Sequence, residues 1–216
     1  MTDYPVALAA EDFVPVALTA AGALLLAPYA GARFGPRAAR TTLLAGAVAG
    51  TGGLCKATWK LVVALGGPDL AWLESLLFPL LLIGFSLLAR SLYPDPVLPL
   101  HRALAYALAA IPAIGLVASA LVRDTWPAMV LAILAVSVVA VRLALLGRAE
   151  DDTTSSALFG VWLTGQYVLG PLAARPDQTV ALQWVEQGCN TLTQAAFAYA
   201  AWRLARTART KEPAFP

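Results

Sequence analysis

Four charged side chains sit inside long apolar stretches of this chain: Lys56, Lys60, Glu74 and Glu186. Ionisable groups at membrane depth are costly, face the interior of a bundle, and mark binding or proton-transfer sites by default. Two ammonium groups can bind a carboxylate or phosphate, and one Glu can carry a coupling proton. The same four groups can instead neutralise one another, as Lys60–Glu74 and Lys56–Glu186, and only lock helices together. A second polar set surrounds Glu186. Gln183, Gln187, Asn190 and Gln194 recur at spacings of 4, 3 and 4, one stripe of a helix, with Glu186, Asn190 and Thr193 beside it. Unpaired amides in hydrocarbon are strongly unfavourable, so the stripe should face a polar cavity. Interhelical hydrogen bonding is the plainer alternative. Gln166 and Tyr167 add polar groups upstream, and Trp59 and Trp184 stand where they can stack on a ligand or a Lys. The candidate binding or coupling residues are therefore Lys56, Trp59, Lys60, Glu74, Gln166, Tyr167, Trp184, Glu186, Gln187, Asn190 and Gln194.

The elements that position them are membrane helices. Of 216 residues, 59% are hydrophobic and 13% charged, against roughly 45–50% and about 25% in soluble domains. Fifteen Lys+Arg against thirteen Asp+Glu leave a net charge of +2, so nucleic acid is not an expected partner. The lipid bilayer is. A spanning helix takes about 20 apolar residues, and seven stretches qualify. They are Phe13–Ala32, Thr41–Leu65, Leu70–Leu92, Arg102–Val122, Trp126–Gly147, Ser155–Ala174 and Thr179–Leu204. Their continuity favours helices over barrel strands, which would alternate. Turn and charge signals fill the breaks, at Arg33–Arg37, Gly66–Asp69, Tyr93–Pro96, Arg123-Asp124, Arg148–Asp152 and Arg175–Asp177. Prolines 15, 28, 79, 112 and 127 fall within or at the start of spans, where a bundle tolerates kinks. The fold class expected is an all-α polytopic membrane protein, a single membrane domain of seven transmembrane helices.

Orientation follows from the basic loop residues. Eleven of the fifteen Lys+Arg lie on one side: Arg33, Arg37, Arg40, Arg90, Arg102, Arg142, Arg148, Arg203, Arg206, Arg209 and Lys211. Only Arg123 and Arg175 lie on the other. The basic side should be cytoplasmic, in a cell inner membrane, with the N-terminus outside and the C-terminus inside. Asp3, Glu11 and Asp12 read as an acidic outer tail. No basic segment or small-residue cleavage site precedes the first span, so no cleaved leader is expected. Counting from span centres, Lys56 lies about 5 Å outward, Glu74 about 9 Å and Glu186 about 7 Å. Lys60 is one turn further out than Lys56 on the same face. All four charges therefore converge in the outer half. The residues from 206 to 216 read as a frayed cytoplasmic tail that touches anionic lipid.

A shift of 112 positions superposes Asp12-x-x-Pro15 on Asp124-x-x-Pro127, Gly35 on Gly147, Thr41-Thr42 on Thr153-Thr154 and Gly53 on Gly165. It also superposes Trp72-x-Glu74 on Trp184-x-Glu186, and Phe85 on Phe197. The match predicts two parallel three-helix repeats, about 12–93 and 124–205, joined by a connector helix over 102–122. This layout resembles the seven-helix architecture of the SWEET and PQ-loop carriers and of microbial opsins, which implies a carrier or a ligand-binding bundle. The chain departs from both motifs: it has no Pro-Gln pair, and no Lys in the seventh span to hold retinal. The segment Pro68-Asp-Leu-Ala-Trp-Leu-Glu74 is similar to the Pro-and-Glu segment of small membrane lycopene cyclases, without their paired acidic residues.

No cofactor and no metal are expected. His101 is the one histidine, and with only Cys55 and Cys189 beside it no His/Cys zinc set can form. The glycines 46, 50 and 53 permit close helix packing and precede no phosphate-loop Lys. Three functions stand open. The first is a carrier or binder of a small organic, anionic or zwitterionic solute. The second is a membrane enzyme on a lipid or isoprenoid, with Glu74 or Glu186 as acid–base group. The third is a seven-helix ligand sensor.

Overall fold

The computed structural model describes residues 5–93, 99–173 and 179–210. Among these the chain is all-helical. The segments are α1 (Val6–Glu11), α2 (Phe13–Phe34), α3 (Pro36–Ala64), α4 (Ala71–Ser75), α5 (Leu77–Ser91), α6 (Pro99–Val122), α7 (Trp126–Ala149), α8 (Thr153–Ala173) and α9 (Val180–Thr210). With α1 running into α2, and α4 into α5, they make seven rods. Four rods are long and apolar enough to cross a membrane: Val6–Phe34, Ala71–Ser91, Arg102–Val122 and Trp126–Ala149. The chain is a helical membrane protein. The sequence reading counted seven such stretches. The other three, α3, α8 and α9, have the length but carry the polar residues of the interior, which dilute their apolar character.

Helix ends follow local chemistry. Gly35 adopts φ +93° between α2 and α3, a left-handed conformation that suits glycine, and Pro36 then opens α3 at the position proline favours. α3 ends in a Schellman turn. The Gly67 N–H donates to Val62 O, the Gly66 N–H donates to Val63 O, and Gly66 takes φ +77°. Pro28 and Pro112 lie inside α2 and α6. Pro15, Pro79 and Pro127 fall in first turns, where the missing N–H costs little.

Six rods form a closed ring in the order α2, α3, α5, α7, α8, α9 and back to α2. α6 packs outside it on α5 and α7. Small residues set the closest approaches. A Cβ on Gly46 would collide with that of Ala23, and one on Gly84 would stand 2.8 Å from that of Ala49. The main core joins Leu26, Leu88, Val139, Leu143, Trp162, Phe197 and Leu204.

Three expectations are corrected. Glu11 and Asp12 are not an outer tail: they sit at the α1–α2 junction, where Leu8, Ala9 and Asp12 are buried. The C-terminal segment is not frayed from residue 206, because α9 continues to Thr210. Gly35 and Gly147 do not match in conformation, since Gly147 lies inside α7 against Ser156. The turns expected at 94–96 and 175–177, and residues 211–216, lie outside the described residues, as does the side chain of His101.

Candidate functional site

Five helices, α2, α3, α5, α8 and α9, enclose a polar cavity of about 180 Å³. α3 contributes Lys56 and Lys60, one turn apart on one face. α9 contributes Glu186, Gln187, Asn190 and Gln194, and α8 contributes Gln166. Pro15, Val16 and Thr19 of α2 and Leu77, Leu81 and Phe85 of α5 complete the wall. A helix of 3.6 residues per turn brings 186, 187, 190 and 194 to one side.

The ion pairing differs from the sequence expectation. Lys60 Nζ lies 2.8 Å from Asp12 Oδ2, not beside Glu74. Asp12 lines the cavity and Glu74 does not. Glu11, next in the chain, accepts a hydrogen bond from the Thr191 hydroxyl. The α1–α2 junction is thereby tied to α3 through one carboxylate and to α9 through the other. Lys56 and Glu186 line the same cavity, and neither forms an ion pair among the described residues. The side-chain N–H₂ of Gln166 is buried without a hydrogen-bond partner. With an unmatched buried donor and two charges outside any ion pair, the cluster is not a closed network.

The floor is aromatic. Trp162 stacks on Phe197 at 4.5 Å between ring centroids and stands 6.0 Å from Phe85. Gln194 bridges wall and floor: its Oε1 accepts from the Trp162 indole N–H at 3.2 Å, and its Nε2 donates to Asn190 at 3.4 Å. At the opposite end of the rods one carboxylate is fully partnered. Asp152 precedes α8 and accepts from the Ser155 N–H at 3.1 Å, the Ser155 hydroxyl at 2.6 Å and Arg203 at 3.0 Å. Burial pushes its carboxyl up, but the Ser155 and Arg203 bonds prevail and hold it below the usual carboxylate range. Nearby, Thr42 shares a hydrogen bond with Ser91 at 3.0 Å, and Arg142 donates to Leu92 O while lying over Tyr93.

Of the eleven candidates, seven line the cavity: Lys56, Lys60, Gln166, Glu186, Gln187, Asn190 and Gln194. Four do not. Trp59 donates its indole N–H to Asp69 at 2.8 Å, fastening the end of α3 to the following loop. Glu74 lies exposed on α4, a five-residue helix that buries none of its residues. Tyr167 is exposed and shares a hydrogen bond with Ser137 at 2.9 Å. One residue is about 100° around a helix, so Gln166 inward sends Tyr167 outward. Trp184 is exposed for the same reason, two positions from Glu186. Asp12 and Glu11 were missed. Their signal was local: Val6–Ala10 is apolar, so the acidic pair is enclosed by apolar sequence on both sides.

Among the described residues no three His, Cys, Asp or Glu side chains gather as metal ligands. Both cysteines are free thiols, and Cys189 lines a separate apolar groove between α8 and α9. The fold and the cavity together define a helical membrane protein with a charged, amide-lined chamber near one end of its ring. Comparison with protein-family models, with curated proteins and with solved structures gives no match.

Proposed function

We propose that this chain is an integral membrane binder or carrier of a small organic anion or zwitterion, taken up in the cavity between α3 and α9. The observation that carries the reading is the pair of uncompensated charges, Lys56 and Glu186, in one cavity with the unmatched side-chain N–H₂ of Gln166.

In this reading all seven rods span the bilayer, with the N-terminus outside and the C-terminus cytoplasmic. Arg33, Arg37 and Arg148 lie in the terminal turns at the rod ends remote from the cavity, with Arg203 and Arg206 in the last third of α9, and they support that orientation. The cavity then faces outward, and the Phe85–Trp162–Phe197 floor is the barrier to passage. The ring supports two three-helix halves, because α2–α3–α5 and α7–α8–α9 neighbour one another in the same order and α6 stands outside as the connector. Motion of one half against the other would move the floor. The acid–base enzyme reading loses one of its two groups, as Glu74 does not share a site with Glu186.

Uptake into proteoliposomes tests the proposal, using labelled small organic anions and zwitterions. The wild-type chain should accumulate at least one of them above protein-free vesicles, and Glu186→Gln should reduce that uptake at least tenfold. Neither flux nor binding for any solute of either class would contradict it.

A further inference from the structure

Within the proposed binding reading, on which this step rests, the cavity's charge arrangement selects between its two solute classes. Lys60 is neutralised by Asp12 at 2.8 Å. What remains is one cation, Lys56 on α3, and one anion, Glu186 on α9. Neither has an ion-pair partner among the described residues, and they are not within 4.0 Å of each other. α2 stands between α3 and α9 in the ring, so the two charges approach the chamber from different walls.

We infer that the cavity binds a small zwitterion of the amino-acid class, its carboxylate on Lys56 and the unmatched Gln166 N–H₂, its ammonium on Glu186. A monoanion would answer Lys56 but leave Glu186 unpaired beside a second negative charge. A monocation would answer Glu186 and leave Lys56 unpaired. Only a molecule carrying both charges meets both groups, and an unpaired charge in a desolvated site is what a polar pocket discriminates against. Size agrees. The chamber of about 180 Å³ holds the share of roughly six waters, which suits a solute of few non-hydrogen atoms. The side-chain amides of Gln187 and Asn190 offer further donors and acceptors to such a solute.

Calorimetric titration of the purified full-length chain in nanodiscs tests this. The probes are glycine, β-alanine and 4-aminobutanoate, against butanoate and butylammonium. At least one zwitterion should bind tenfold or more tightly than butanoate and butylammonium. Lys56→Met should weaken that zwitterion at least tenfold. Glu186→Gln should bring zwitterion and butanoate to within threefold of each other. Thermal unfolding of each variant checks folding, and the wild-type comparison needs no variant. Butanoate binding as tightly as the best zwitterion would overturn the inference and leave an anion binder standing. An unchanged zwitterion preference in folded Glu186→Gln would overturn it as well. Binding of none of the five would overturn the inference and the binder reading together.

Discussion

Two carboxylates, Asp152 buried and Glu186 half-buried, stand at opposite ends of this bundle, and their surroundings differ in kind. Asp152 is saturated. It caps α8 through the Ser155 N–H, accepts the Ser155 hydroxyl, and meets Arg203, with its side chain only 4% exposed. Glu186 lines a chamber and has no ion-pair partner among the described residues. Saturation holds helices in register. Incompletion leaves interactions for something that arrives later. The same residue types thus do two jobs, and the number of partners tells them apart.

Variants at the two ends should separate stability from binding. The largest effect is expected at the aromatic floor. Trp162 is fully buried against Phe85 and Phe197, so Trp162→Ala should cost about 3–5 kcal/mol, read as a large drop in resistance to denaturing detergent. Next is the α3–α5 contact. Gly84→Val places atoms against Ala49 and Ala45 and should cost about 1–3 kcal/mol by overpacking. A cost within error at either position would show that the closed half is looser than described.

At Asp152 the expected loss is about 1–2 kcal/mol for Asp152→Ala, the scale of a lost helix cap. The pH dependence has a fixed sign. The folded carboxyl titrates below its ordinary value, so its stabilisation is in place above about pH 3.9, the unfolded value. It is lost as pH falls through the lower folded value. An acid unfolding curve should therefore flatten in Asp152→Asn, and an unchanged curve would show that the Ser155 and Arg203 bonds contribute nothing. The smallest effect belongs to Lys56→Met. Removing an uncompensated buried charge should leave stability unchanged or slightly raised. A clear loss would mean that Lys56 is part of a structural lock.

Much of the architecture was legible in the sequence, because apolar run length is a one-dimensional property. The expected spans Arg102–Val122 and Trp126–Gly147 compare with Pro99–Val122 and Trp126–Ala149. The amide stripe of α9 was largely legible from helical phase: of Gln183, Gln187, Asn190 and Gln194 the last three line the cavity, joined by Glu186 of the adjacent stripe, while Gln183 does not line it. Partner choice was not. Depth counting placed Glu74 near Lys60, but depth says nothing about azimuth, and Glu74 lies exposed on α4. Asp12 was close in space and distant in sequence, 48 positions from Lys60. The repeat spacing was equally blind to environment. Asp12 pairs with a Lys, while Asp124 accepts the Trp126 N–H at an exposed helix start.

One paired measurement tests the contrast most directly: unfolding and ligand titration on the same preparations of Glu186→Gln and Asp152→Asn. Glu186→Gln should abolish the preference for the zwitterion over butanoate at unchanged stability, and Asp152→Asn should lower stability with that preference unchanged. The reverse pattern, or both variants losing both properties alike, would contradict the assignment of one end to binding and the other to structure.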